Sequence, residues 1–123
     1  MGDVEAHFNL TLLYHYGKGV EKDMRKEIYH MEEAAMGGHP DARHNLGCVE
    51  WYTRDNPERA VKHWIISATQ GDDVSIKKLM KAFKEGLVSK DELASTLRAH
   101  QAAVDATTSP QREAAEKHYQ YQN

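Results

Sequence analysis

The strongest constraint on this chain is that it repeats itself. Ala6 matches Ala42 and Leu10 matches Leu46 at a displacement of 36 residues, while Asp23 matches Asn56, His30 matches His63, Ala35 matches Ala68 and Gly38 matches Gly71 at 33. The difference sits in one loop, because the stretch from Tyr16 to Asp23 shrinks to Tyr52–Asn56 in the second copy. A third copy places Ser75 on Ala42, Leu79 on Leu46, Asp91 on Asp23 and Ala102-Ala103 on Ala34-Ala35. Units of this size cannot bury an apolar face alone, so they stack on one another and confine their length changes to loops. Three units are expected over 3–106, at about 3–39, 40–73 and 74–106, with 107–123 outside the repeat.

Each unit reads as two antiparallel helices. Ala6, Leu10, Leu13 and Tyr14 form one apolar face at helical spacing, and the glycines Gly17 and Gly19 end it. Asp23 is placed to cap a second helix whose inner side carries Ile28, Met31, Ala34 and Ala35, with Gly37-Gly38 as its stop. The second unit repeats this with Ala42, Leu46 and Val49, then Asn56-Pro57 opening a helix with Ala60, Val61, Trp64, Ile65 and Ala68 inside. Ser89 and Glu92 form a capping-box pattern ahead of Leu93, Leu97 and Val104. No strand-like alternation competes, so the expected class is all-α. Tyr14 and Phe83 occupy equivalent ring positions, but Glu50 stands there in the middle copy, with Trp51 or Tyr52 as the candidate replacement for the missing bulk.

Composition narrows the function. With 28% charged and 40% apolar residues among 123, the chain suits one soluble domain, and its net charge of −3 argues against broad binding to nucleic-acid phosphates. No apolar run approaches the ~20 residues that span a bilayer. Asp3 and Glu5 stand where a signal peptide carries positive charge, and Ala6 stands where a myristoylation signal carries Ser or Thr. A single cysteine, Cys48, cannot form an internal disulfide. Together these point to a cytoplasmic, intracellular protein.

On these residues the chain resembles a Sel-1-like repeat array, a relative of the tetratricopeptide repeat. Ala6, Leu10, Tyr14, Gly17, Gly19, Val20, Asp23, Ala34, Ala35 and Gly38 carry the resemblance in the first unit, and Ala42, Leu46, Gly47, Ala60, Ala68 and Gly71 in the second. The third unit keeps Leu79, Phe83, Gly86, Val88, Asp91, Ala102 and Ala103. Thr11 replaces the usual glycine and Glu27 the usual alanine. The resemblance implies a right-handed α-solenoid of three antiparallel helix pairs plus a C-terminal helix. It also implies a non-catalytic protein–protein interaction scaffold, without cofactor or metal, whose first helices line a concave surface.

Candidate contact residues follow from that placement. His7, Arg43 and Ile76 lie three residues before the recurring leucine, and Thr11, Gly47 and Met80 lie one after it. Lys77, Lys81 and Lys84 make a basic stripe on the third first-helix, suited to an acidic peptide, with Lys78 beside it. The expected partner-binding set is therefore His7, Thr11, Arg43, Lys77, Lys81 and Lys84, and the partner a protein or peptide. The apolar edge of the first unit offers a surface to another repeat or a second copy. A rival reading takes His44 and Cys48, one turn apart, as the start of a metal-binding or enzymatic site. The chain supplies no further zinc-ligand motif, and a buried small thiol is the simpler account of Cys48. Thr107-Thr108-Ser109-Pro110 is expected to break the last repeat helix; the tail then either forms a further helix, with Ala114, Ala115, His118 and Tyr119 as a thin face for docking as a polar cap, or frays.

Overall fold

Six α-helices and one π-helical turn follow one another, and the described residues hold no strand: α1 (Gly2–Tyr16), α2 (Met24–Met36), α3 (Pro40–Cys48), the π-turn Val49–Thr53, α4 (Pro57–Thr69), α5 (Asp73–Lys84) and α6 (Lys90–Gln122). The computed structural model describes the backbone of residues 2–17 and 21–122 and the side chains of 3–17 and 21–107. Gly19 and Val20, which carry part of the first loop's motif, lie outside the described residues.

Helix starts obey local chemistry. The Asp23 carboxylate accepts from the Arg25 and Lys26 amides at 3.1 and 3.2 Å, Asn56 accepts from the Arg59 amide at 3.2 Å, and the Ser89 hydroxyl accepts from the Glu92 amide at 3.0 Å. Each satisfies a donor that has no partner within its own helix. The first helices are capped too, by His39 Nδ1 for the Ala42 amide and by Asp72 for the Ser75 amide. At the other end, Gly38 and Gly71, 33 residues apart, turn through φ of +98° and +104°. A Cβ resists that conformation, and it lets the following amides reach back into the helix, His39 to Ala34 and Asp72 to Ser67.

Stacking buries the small residues of the repeat. Ala42 and Ser75 are fully buried at equivalent positions, and so are Ala34, Ala60 and Ala68 on the second helices. Ala6, the equivalent residue in α1, is exposed, because among the described residues no helix pair packs before it. The core accordingly runs as two successive clusters rather than one. Ile28, Met31, Ala34, Ala35, Ala42 and Leu46 join the first pair to the second; Ala60, Val61, Trp64, Ala68, Leu79, Ala82, Val88 and Leu93 join the second to the third.

The middle repeat departs from its neighbours at the π-turn. The Arg54 amide bonds to the Val49 carbonyl, five residues back, at 3.0 Å, so the winding takes in one extra residue. That shift brings Trp51 onto Trp64, ring centroids 5.4 Å apart, and leaves Tyr52 exposed. Trp51 thus supplies the bulk missing at Glu50. The Glu50 side chain is buried and held by two arginines, Arg54 Nη1 at 2.8 Å and Arg59 Nε at 3.0 Å. The trimmed loop closes through Asp55 at a φ of +52°, a conformation Asp tolerates better than most residues.

The third pair is α5 against α6, and α6 also packs on α4. The helix stop expected at Thr107–Pro110 is absent: the backbone continues as one helix of 33 residues to Gln122. An interior proline removes one donor and crowds the carbonyl four residues back, at a cost of about 3 kcal/mol, but its φ is helical and the element continues past it. The expected docking of Ala114, Ala115, His118 and Tyr119 concerns side chains outside the described residues.

Candidate functional site

A groove runs between α1 and the α3–π-turn segment, floored by α2. It comprises two cavities, of about 330 and 260 Å³, that share His15, Glu27, Cys48 and Val49. Its walls are apolar and open. Leu12 and Tyr16 rise from α1, and Met24 and Tyr52 close the far cavity; all four are exposed, Tyr16 and Tyr52 by 61% and 62%. Tyr16 and Tyr52 are repeat equivalents, as are Leu12 and Cys48, so the groove is written by successive copies of the same positions. At its floor the Glu27 carboxylate pairs with His15 Nδ1 at 3.1 Å.

The third repeat adds charge to this edge. Lys78 Nζ donates to the Tyr52 hydroxyl at 3.0 Å and sits 5.2 Å from its ring centroid, tying α5 to the end of the groove. That hydrogen bond raises the pKa of Lys78, against a smaller opposing effect of burial, so the ammonium stays charged. Lys77, Lys81 and Lys84 are exposed on the same helix, and none forms an ion pair among the described residues.

The sequence-expected contact residues divide. Lys77, Lys81 and Lys84 lie on the accessible surface. His7 is half-buried against α2, with its Nδ1 2.9 Å from His30 Nδ1. Thr11 is only 2% exposed, its hydroxyl donating to the His7 carbonyl at 3.0 Å and reaching the Glu27 carbonyl at 3.4 Å, so it lies at the bottom of the nearer cavity rather than on its rim. Gly47, also expected to face a partner, is buried against the Trp64 indole. Arg43 reaches between α4 and α2: Nη1 faces His63 Nδ1 on α4 at 3.5 Å, and Nη2 donates to the Ala35 carbonyl on α2 at 3.1 Å. Thr11 and Gly47, each one residue after the recurring leucine, pack inward, whereas Met80 at the same position of the third copy is 44% exposed. The groove residues Leu12, Tyr16 and Tyr52 were missed, although the recurrence of tyrosine at both loop entrances was a visible signal.

His44 and Cys48 do meet, Nε2 to Sγ at 3.5 Å. The other ring nitrogen, Nδ1, contacts Ser75 Oγ at 2.9 Å and Asp72 Oδ2 at 3.5 Å. These partners sit on opposite edges of the imidazole, so they do not converge on one point, and the described residues contain no group of three or more His, Cys, Asp or Glu able to hold a metal ion. Burial raises the Cys48 thiol and lowers the His44 imidazole, each favouring its neutral form. An activated thiolate needs the reverse. The ring bridges α3 to α5 while Trp64 Nε1 donates to the His44 carbonyl at 3.2 Å.

Stacked antiparallel helix pairs define a helical-repeat solenoid. The Sel1 repeat model matches residues 4–39 and 40–72, and the chain belongs to the Sel1 repeat family. The third pair lies beyond the matched residues. No curated protein is similar enough to match. Sel1 repeats generally mediate protein–protein interaction, and the family is a non-catalytic scaffold. No helix among the described residues is long and apolar enough to cross a membrane.

Proposed function

We propose that this chain is an adaptor whose first-helix face binds an extended peptide or domain edge carrying an apolar residue next to acidic ones. The observation that carries the reading is the Lys78–Tyr52 contact, which ties α5, the helix that carries the lysine stripe, to the end of the apolar groove. An apolar side chain entering between α1 and the π-turn gains roughly 1.5–3 kcal/mol if fully buried. Carboxylates beside it meet Lys77 and Lys81, which form no ion pair among the described residues.

The test is selection of a displayed random-peptide library on the wild type and on the Lys77→Glu/Lys81→Glu/Lys84→Glu variant. Wild-type-selected peptides are expected to pair an apolar residue with Asp or Glu and to bind the variant at least ten-fold more weakly, with thermal unfolding little changed. Selection of the same peptides by both proteins discards the lysine assignment. Tyr52→Ala separately probes the groove, and unaltered affinity there discards the apolar half.

A further inference from the structure

Away from the groove, and sharing no residue with it, a cavity of about 160 Å³ lies where α2, α3 and α4 meet. Arg43, Arg54 and Arg59 line it, with His63 beside them; Glu50 and Glu32 are the carboxylates that face it. Glu50 already spends its two oxygens on Arg54 and Arg59. Arg43 has no such partner. Its guanidinium meets only the Ala35 carbonyl and the His63 ring, its Nε is buried without a hydrogen-bond partner, and no carboxylate lies within ion-pair distance among the described residues. Burial, and then Arg43 itself, lowers the pKa of His63, so the ring is neutral and adds no positive charge to the cluster.

We propose that this cavity is a carboxylate-binding site, in which the Arg43 charge receives its missing counter-ion from a chain terminus or acidic side chain of a partner. Three guanidinium groups against two carboxylates leave one positive charge, which a single carboxylate cancels. A doubly charged phosphate overshoots it beside Glu50 and Glu32. The planar guanidinium fork matches a carboxylate's two oxygens, and Glu50 shows that Arg54 and Arg59 already accept one. The cavity has room for the group and its first carbons. Met36 and Leu46, which also line it, supply apolar contact for those carbons.

The test is an NMR titration of the folded protein with sodium acetate, following the Arg43 side-chain Nε–Hε resonance, with sodium chloride at matched ionic strength as control. Saturable movement with acetate alone is expected, weakened at least five-fold in the more exposed Arg59→Gln by the same resonance, and in Arg43→Gln by the backbone amides of Leu46 and His63, which line the cavity and are followed in all three proteins. Glu50→Gln removes the internal competitor and is expected to tighten acetate binding several-fold, a gain that misfolding does not produce. An N-acetylated tripeptide with a free terminus, its amide, and an amide bearing one aspartate distinguish terminal from side-chain carboxylate; binding of either supports the site. Movement that is linear, or equal with chloride, overturns it. Inorganic phosphate binding ten-fold tighter than acetate overturns the carboxylate assignment. The Lys77→Glu/Lys81→Glu/Lys84→Glu variant is expected to bind acetate as the wild type does, so this result stands or falls separately from the groove.

Discussion

His7 and His30 meet nitrogen to nitrogen across the α1–α2 contact, Nδ1 to Nδ1 at 2.9 Å, with ring centroids 5.1 Å apart. Such a pair has room for one proton between the two atoms, so one ring donates and the other accepts in opposite tautomers. Tyr14 stacks on the far face of the same cluster, 5.8 Å from the His30 ring.

Acid is therefore expected to loosen the fold. Burial lowers the pKa of His30, His44 and His63, with His7 adding to the effect at His30. Between the ordinary value near 6.5 and the lower folded values, the unfolded chain binds more protons than the folded one. The stability these rings contribute is complete above about pH 6.5 and is lost as pH falls through the folded values. Thermal midpoints measured from pH 7.5 to 5 are expected to fall, and His30→Gln is expected to flatten the slope. A midpoint that rises on acidification contradicts the account.

Gly47 lies directly against the Trp64 indole, and a Cβ built there collides with Nε1. Helix propensity alone favours alanine over glycine by about 1 kcal/mol. Overpacking of this kind costs about 1–3 kcal/mol and displaces the indole that bonds to the His44 carbonyl. Gly47→Ala is expected to be net destabilising in urea unfolding, with altered tryptophan fluorescence. A stabilised variant would show that Trp64 moves aside freely.

Equivalent alanines are expected to respond unequally. Ala42→Leu forces extra volume into a fully buried site between repeats, at a cost of about 1–3 kcal/mol or more. Ala6→Leu, at the same repeat position but exposed, is expected to change stability by no more than about 0.5 kcal/mol. Chemical denaturation of the two variants side by side measures the difference. Equal losses would mean that the first repeat is covered as fully as the second.

Cys48 is expected to react slowly. Burial holds its thiol above the ordinary range, so little thiolate is present near neutrality. Iodoacetamide labelling at pH 7.5 is expected to be at least ten-fold slower in the folded protein than in urea, and His44→Ala is expected to leave the folded rate slow. Labelling as fast as in the unfolded chain points instead to an activated thiol and revives the enzymatic reading of His44 and Cys48.

Much of this was legible residue by residue. Asp23, Asn56 and Ser89 cap the helices they precede, because a side-chain oxygen near free amides acts within three residues. Gly38 and Gly71 mark the repeat length for the same local reason. His39 and Asp72 were harder to recognise as caps. His39 is an uncommon cap type, and nothing near Asp72 in the sequence announces a helix start as strongly as Asn56-Pro57 does.

The sequence by itself determined the helix pairs, their period and the small residues on which they stack, all set by contacts within a turn or by the repeat. Tertiary structure decided how far each helix is rotated about its axis. That rotation buries Thr11 and Gly47, opens Leu12, Tyr16 and Tyr52, and sets Arg43 beside His63 without a carboxylate. It also decided the π-turn, where one extra residue brings Trp51 against Trp64 while Glu50 stays buried between Arg54 and Arg59. The physical reason is that rotation and register answer to packing between helices distant in sequence. A few degrees or one added residue moves a side chain from solvent to interior, and no local propensity records the shift.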